Sequence, residues 1–388
     1  MGALTLTGLV PTIFEALDIV SREQTGMIRA VSMDSQAARA ALNEVVTSPV
    51  VGAMTAGNTT PGATAPDTPN QTINNVQVGV TKSRQVAFGI TGEETVTLRN
   101  GGNLRTVNRD RIAQAIRTLC NEVEGDLNGL YNTVSRVYGT YNGTPFATAG
   151  DLSDFAHPFQ ILTDNGAPAS DRRMVLASSH ATNIRAKQST LFQVNTSGND
   201  DLLRRGILGF VENFGVGETA FAKTQTAGTG ASATTNNAGY AIGATVITLA
   251  SAGTGTILAG DAVAFAGDSR KYVVASGDAD VSNGGTITLV EPGLMQAIPA
   301  AATNITVEAT NKRSMFFHRS AIVLAARAPA LPEEGDSADD RMMITDPVTG
   351  VTFEFSLYKQ YRQVRYEVAL AWGWKNVMPR HTGALIGA

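Results

Sequence analysis

Histidine and cysteine, two residue types suited to acid–base or metal chemistry, are few in this sequence, and they lie apart. No two histidines have the spacing of metal ligands, and there is no C-x-x-C pair. The four histidines are His157, His180, His318 and His381. The carboxylates of Glu93-Glu94 and of Asp339-Asp340 are adjacent in sequence, and such neighbours do not normally face one point in a helix or strand. The pattern predicts no catalytic residue, no metal ligand and no cofactor.

Signature loops for nucleotide or acyl chemistry are also missing. The sequence has no G-x-x-x-x-G-K-S/T loop, no G-x-G-x-x-G after a strand and no G-x-S-x-G turn. The single cysteine, Cys120, lies near Leu119 and Val123, which favours a small buried thiol over a reactive one. An enzyme is therefore the least favoured class.

Arginines are the charged residues that do form a pattern. Arg105, Arg109 and Arg111 stand at the start of a long amphipathic segment. Ion pairs between subunits are the favoured interpretation and weak phosphate contact is the alternative, because no aromatic residues alternate with these arginines as a base-stacking surface would require. The subunit-interface candidates are Arg84, Glu93, Arg105, Arg109, Arg117 and Arg136.

Composition points to a structural protein. Only 16% of the 388 residues are charged, against about 25% in a typical soluble protein. Either much of the surface is buried against other copies, or the chain is simply rich in β structure, glycine and threonine. The net charge of −4 leaves no basic footprint for nucleic acid. No apolar run is long enough to span a membrane, and Met1 to Ile13 lacks a signal-peptide pattern, so we expect a cytosolic protein.

The element that must position these arginines is a long amphipathic helix, which the sequence predicts over 107–138. Its apolar residues recur every three or four positions: Ile112, Ile116, Leu119, Val123, Leu127, Leu130, Val134 and Val137. Asn108 is the expected N-cap and Gly139 the expected stop. A helix this long exceeds the ordinary length of about 11–12 residues and could brace a flat subunit.

The first 75 residues are predicted to form two extensions. Residues 1–46 predict a helical arm, with Pro11 at a helix start and a second, weaker helix from Met27 to Val46. Residues 47–75 are rich in Thr, Pro, Gly and Asn and predict a long reaching loop. Alternating apolar residues after it predict two strands, one over 76–80 and one over 86–90.

After the helix, residues 151–222 predict an α/β body, with a strand at 174–177, a helix at 179–187 and a strand at 207–211. Residues 223–312 carry few charges and alternate over 246–249, 262–265 and 287–289, which predicts a small β-barrel or sandwich inserted into the body. Residues 333–340 predict a solvated acidic loop. Strands over 351–357 and 364–374 complete a C-terminal β meander.

This order of elements resembles tailed-phage major capsid proteins with the Hong Kong 97 fold, an α+β fold. It is most similar to the podovirus coat type, the "P-twenty-two" type, that carries an inserted domain. The local stretches that carry the resemblance are Gln85-Val86-Ala87-Phe88, Asp171-Arg172-Arg173-Met174-Val175-Leu176, Ala259-Gly260-Asp261-Ala262-Val263 and Lys375-Asn376-Val377-Met378-Pro379-Arg380.

The resemblance implies a division of the chain. Residues 1–46 would be the N-terminal arm and 47–85 the E-loop that lies over a neighbouring subunit. Residues 86–139 would be the peripheral domain with the spine helix, and its sheet would include residues 86–100. Residues 140–222 and 313–388 would form the axial domain with the meander, and 223–312 the inserted domain. Shell expansion would make Gly101, Gly102 and Gly139 hinge candidates.

Function and partners also follow from the resemblance as expectations. The chain would assemble with itself into pentamers and hexamers of an icosahedral virion capsid in the host cytoplasm, around double-stranded DNA bound without sequence specificity. A scaffolding protein and a portal are further expected partners, and a decoration protein is a candidate. Some relatives cross-link lysine to asparagine. Here no lysine precedes Lys82 in the E-loop, so we expect no cross-link. The alternatives are an encapsulin-like nanocompartment shell and a β-rich surface-binding protein.

Overall fold

The structure is a computed structural model that describes residues 10–20, 25–34, 39–51, 56, 59, 61, 73–188 and 209–388. The chain is mixed α+β, as the sequence predicts. Its helices are α1 Val10–Val20, α2 Gly26–Ala30, α3 Gly92–Asn100, α4 Leu104–Asn128, α5 Ser153–Asp164 and α6 Ser178–Lys187. None of the described helices has an apolar stretch long enough to cross a membrane.

The strands outside residues 223–310 form the two main sheets and a separate hairpin. They are β1 Ser32–Asp34, β2 Val45–Val51, β3 Ile73–Gly79, β4 Lys82–Thr91, β5 Arg136–Gly139, β6 Arg172–Ala177, β7 Phe210–Val211, β8 Phe214–Thr219, β16 Asn311–His318, β17 Ile322–Arg327, β18 Asp340–Thr345, β19 Thr352–Gln360, β20 Gln363–Asn376 and β21 Thr382–Gly387.

The strands within residues 223–310 are short. They are β9 Thr224–Gln225, β10 Ala233–Thr234, β11 Val246–Leu249, β12 Ala262–Phe265, β13 Lys271–Ser276, β14 Gly285–Leu289 and β15 Asn304–Val307. Those at 246–249, 262–265 and 285–289 lie where the alternation predicts strands.

The first sheet has the order β1-β17-β20-β19-β18, and β4 also pairs with β20. Alternation explains its longest member, because Tyr366, Val368, Leu370 and Trp372 of β20 are all buried. Helix α4 shares one apolar core with this sheet and with α1. The core includes Ile112, Ile116 and Leu119 of α4, Phe353, Phe355 and Trp372 of the sheet, and Ile13 and Leu17 of α1. The helix therefore braces the sheet, as the sequence pattern suggests.

The long helix is shorter than predicted at one end. It begins at Leu104, with Asn103 and not Asn108 before it, and ends at Asn128. A 3-10 turn over Gly129–Asn132 follows, and the predicted last helical turns form β5. Here tertiary pairing overrides the helical period, because β5 pairs with β21 and with β13. Gly139 therefore ends a strand and is not a helix stop.

Two other predictions near the N-terminus are wrong. The helix expected from Met27 to Val46 is only the five-residue α2, followed by β1, a bridge at Ala40 and the start of β2. The stretch 86–100 is not all strand, since β4 ends at Thr91 and α3 begins at Gly92. The Thr91 side chain accepts from Glu94 N at 3.2 Å and the Glu94 carboxylate accepts from Thr91 N at 3.0 Å, a capping box that starts a helix.

The second sheet runs through the body in the order β5-β21-β16-β6-β8-β7 and continues from β5 into β13. The predicted body strand and helix are present as β6 and α6. Of the strand expected at 207–211, only Phe210–Val211 is strand, and residues 207–208 lie outside the described part.

Six strands within residues 223–310 close into a barrel. Their order is β10-β15-β12-β13-β14-β11, and β11 returns to β10 through a bridge between Thr235 and Leu249. The bonds from Ala250 N to Thr234 O and from Asn236 N to Thr248 O measure 2.9 and 3.0 Å. The interior has its own apolar cluster, which includes Ile247, Val263 and Tyr272. A closed barrel leaves no free strand edge.

Candidate functional site

No group of three or more potential metal ligands comes together within the described residues. Two of the four histidines, His180 and His381, are buried. Burial lowers the pKa of His180 and of His381 to about 4, so both are neutral at physiological pH. The features with functional potential are contacts that fix segments of the chain and surfaces that remain open.

The hairpin β2–β3 is the first open surface. Its strands pair from Val45 with Gly79 to Val51 with Ile73 and form a two-stranded sheet separate from the two large ones. Among its described side chains, those at the base are anchored, through Val78, which is buried in a small cluster with Ala325 and Val377. The predicted tip of the E-loop, 52–72, lies outside the described residues apart from positions 56, 59 and 61. Both outer edges of the hairpin lack a strand neighbour among the described strands.

Lys82 anchors the chain where it returns from this hairpin. Its Nζ donates to Glu122 Oε1 at 3.0 Å and to Asp126 at 2.9 Å on α4, and Trp372 Nε1 of β20 donates to Asp126 at 3.0 Å. Burial acts to lower the pKa of Lys82, but the bonds to Asp126 and Glu122 outweigh it and raise the pKa. The Lys82 ammonium is thus held by two carboxylates of its own chain.

Glu124 fixes the N-terminal segment to α4. Its side chain is fully buried and accepts hydrogen bonds from Met27 N at 2.9 Å and Ile28 N at 3.1 Å, the first free amides of α2. Thr25, which precedes α2, gives no side-chain cap, so the distant carboxylate takes that role. Gly26 is required here, because a Cβ would lie 2.6 Å from the carbonyl oxygen of Glu218. Burial raises the pKa of Glu124.

The barrel is joined to the body through buried polar contacts. The Asp261 carboxylate is fully buried and accepts from Gln225 Nε2 at 3.0 Å, Gly228 N at 3.0 Å and Leu258 N at 2.8 Å. Arg313 of β16 donates to the carbonyl oxygens of Gly260 at 2.6 Å and Tyr131 at 3.2 Å. Burial lowers the pKa of Arg313 to about 10, which leaves it charged at neutral pH.

The predicted interface residues do not form one cluster. Arg84 is 3.5 Å from Glu122 with a side chain 60% exposed, and Arg105 forms an ion pair with Glu15 of α1. Arg109 pairs with its neighbour Asp110 at 2.9 Å. Arg117 is exposed on α4, and it also has an interaction within the chain.

Arg136 is a correction to that set. It is only 2% exposed, and its Nη2 donates to the Ile161 carbonyl at 3.0 Å and to Asn165 Oδ1 at 2.8 Å. Its contacts link β5 to α5 inside one subunit, so it is not available to a neighbour. The sequence could not distinguish this arginine, because its burial depends on strand pairing far along the chain.

The predicted hinges fall in two different environments. Gly101 and Gly102 connect α3 to α4, and Gly102 has φ +72° with open space around it. Gly139 has φ +102°, and a Cβ there would lie 2.5 Å from the carbonyl oxygen of Ile386. Gly139 is thus required by close packing between β5 and β21.

Sequence reasoning missed a second open surface, the α3–turn surface. It comprises α3, the turn Tyr361–Arg362 between β19 and β20, and an open cavity of about 700 Å³ lined by residues of both, including Glu93, Thr95 and Lys359. The backbone N of Gly92 donates to the Arg362 carbonyl at 3.1 Å and joins the turn to α3. Only Glu93 of this surface was a sequence candidate, and it is exposed.

No protein-family model and no curated protein sequence matches the chain. Solved structures do resemble it. A chain of the capsid of cyanophage P-SCSP1u has a TM-score of 0.48 and 10% identity, with coverage of 94% of this chain and 89% of that chain. A chain of the capsid of the native GTA particle has a TM-score of 0.44 and 10% identity, with coverage of 95% and 91%.

The virus-like particle from Pyrococcus furiosus has a TM-score of 0.40 and 7% identity, with coverage of 95% of this chain and 96% of that chain. The three are structures of a phage capsid, a GTA capsid and a virus-like particle. Their TM-scores are all below 0.5, and we therefore base the function on the contacts of this chain itself.

Proposed function

We propose that this protein is the major capsid protein of a tailed phage. Copies of the chain assemble into pentamers and hexamers of an icosahedral shell that encloses packaged double-stranded DNA. The β2–β3 hairpin is the observation that carries this proposal. A lone two-stranded hairpin is marginal in water, and the described side chains of this one are anchored at its base. It gains stability when another subunit covers it.

The rest of the chain supports the same function. Helix α4 braces a large sheet, α1 packs along it through Ile13 and Leu17, and α2 is fixed to it by Glu124. The result is a firm subunit with projecting contacts. Many modest contacts between such subunits let assembly correct its errors and still add up to a stable shell.

Other parts receive roles within this proposal. Residues 223–312 act as an inserted domain on the outer surface, and the scaffolding protein, the portal and a decoration protein are expected partners. The packaged DNA is contacted without sequence readout, which agrees with the net charge of −4. Gly101 and Gly102 allow α3 to move relative to α4 when the shell expands.

The test is expression of the chain with and without a co-expressed scaffolding protein, followed by sedimentation and negative-stain microscopy. We expect closed shells of uniform size. Nucleic acid inside particles purified from infected cells supports the phage assignment, whereas a co-purifying enzyme would replace it with a nanocompartment shell. Dispersed monomers under both conditions would contradict the proposal.

A variant focuses this test on the hairpin. Replacing residues 49–75 by Asn-Gly joins Ser48 to Val76, which already lie opposite each other, through a turn that suits such a hairpin. The base with Val46 and Val78 is retained. We expect a folded monomer that forms no shells. Normal shell assembly by this variant would remove the observation on which the proposal depends.

A further inference from the structure

The α3–turn surface contains a helix that its own subunit barely supports. None of the nine residues of α3 is buried, and Val96 is 55% exposed. Isolated helices this short are marginal in water, and most helical stability in proteins comes from packing of an apolar face. The capping box at Thr91 and Glu94 starts α3, but few contacts within the subunit cover it.

The neighbouring turn presents residues typical of binding hot spots. Tyr361 is 87% exposed, and the Arg362 guanidinium lies 5.6 Å from its ring centre. Tyrosine and arginine are enriched among the residues that dominate binding energy. Arg362 has φ +57°, a conformation that residues with a side chain rarely adopt and that tends to occur at functional sites.

The charges of this surface complement each other. Arg362 on the turn forms no ion pair within the described residues, and neither does Glu93 on the first turn of α3. Lys359 is held by Asp339 at 2.7 Å, and Glu94 is occupied by the capping box. One cation and one anion that form no ion pair among the described residues therefore flank the same cavity, which has room for an aromatic side chain.

We propose that the α3–turn surface docks against the same surface of a second copy of this chain. Tyr361 of one copy enters the cavity beside α3 of the next, and Arg362 of one copy pairs with Glu93 of the other. The contact covers α3 and the exposed turn together. This inference rests on the proposed shell function and adds to it a specific pair of residues.

Charge reversal tests the pairing, beginning with Arg362→Glu and Glu93→Arg made separately. Each places like charges at every contact, and we expect the protein concentration needed for assembly to rise about tenfold or more. The double variant Arg362→Glu/Glu93→Arg should assemble nearly as wild type. Lys187→Glu, an exposed charge on α6, is the matched control and should have no effect.

Mixing separates a contact between copies from one within a copy. In an equimolar mixture of the Arg362→Glu and Glu93→Arg proteins, unlike charges meet between different subunits but not within either one. We expect the mixture to assemble better than each protein alone. Tyr361→Ala should weaken assembly without lowering the melting temperature of the monomer.

The inference and the proposed function fail in different ways. Wild-type shells together with unchanged assembly of every variant would overturn only the docking surface. Rescue in the double variant without rescue in the mixture would also overturn it, because the pairing would then lie within one subunit. Failure of the wild-type protein to assemble would contradict the proposed function itself.

Discussion

The barrel and the β2–β3 hairpin are both built from short strands, but they treat their strand edges in opposite ways. Six barrel strands return on themselves at the bridge between Thr235 and Leu249, around an apolar interior of their own. Among the described strands, those of the hairpin pair only with each other, and their described side chains pack at the base. Free edges invite pairing with another chain. Under the proposed function, the hairpin depends on neighbouring subunits, whereas the barrel depends on its own core.

The largest effect is expected when the outer part of the hairpin is removed. Replacing residues 49–75 by Asn-Gly should abolish shell formation while the melting temperature of the monomer changes little, because no part of either main core is removed. Analytical ultracentrifugation and thermal unfolding measure the two quantities. A monomer that unfolds would show that the hairpin supports its own subunit.

The next effect concerns the attachment of the barrel. Asp261→Ala removes the acceptor of Gln225 Nε2, Gly228 N and Leu258 N, all at the junction. Each buried donor that is left without an acceptor typically costs about 1–3 kcal/mol. Urea unfolding should show this loss, with proteolysis increased near residue 228. Asp280→Ala on an exposed turn is the control, and an equal loss there would contradict the special role of Asp261.

A smaller effect is expected at α2, because a distant residue, Glu124, caps this helix. Glu124→Ala leaves Met27 N and Ile28 N without their acceptor, at a cost of about 1–3 kcal/mol. Hydrogen exchange at these two amides should accelerate. Unchanged exchange would show that other groups cap α2.

The same carboxylate predicts a pH dependence. Burial raises the pKa of Glu124 above its ordinary 4.5, so the folded chain holds this proton more tightly than the unfolded chain. The resulting stability is fully present below pH 4.5 and is lost as pH rises through the folded pKa. Relative to Glu124→Gln, which does not titrate, the wild-type protein should become less stable from pH 4.5 toward neutrality. Parallel pH profiles would contradict this assignment.

The smallest effect tests the link between α3 and α4. Gly102→Ala meets no neighbouring atom but must adopt φ +72°, which costs about 1 kcal/mol. We expect slower shell expansion with little change in monomer stability. Gly139 offers no comparable test, because a larger residue there collides with Ile386 and destabilises the fold directly. Normal expansion of Gly102→Ala shells would count against the hinge.

The sequence predicts a strand or helix well where a single hydrophobic period runs through the whole element. Alternation over 364–374 identifies β20, and the three- and four-residue spacing from Ile112 to Leu127 identifies most of α4. It fails where distant pairing decides the outcome. Val134 and Val137 continue the helical spacing, but the chain turns there and Val137 pairs with Lys271 and with Ala384.

The candidate surfaces were harder to predict. Glu93 could be chosen from its sequence, but its cavity is formed with a turn more than 260 residues later. Arg136 and Arg105 look alike in the sequence, yet one is buried and the other is exposed. The role of Glu124 as the cap of α2 depends on a contact across 97 residues, for which no local pattern exists.

The pairing of β9 with β16 has a consequence for how this chain could change over evolution. Thr224 lies opposite Lys312 and Gln225 opposite Asn311, so the chain leaves the body and returns to it at adjacent positions. The residues between these positions therefore form one branch, a segment that leaves the body and returns to the place where it left. A single genetic event could therefore add, exchange or delete the branch without re-routing the remaining polypeptide, provided that the new ends meet at the same pair of strands.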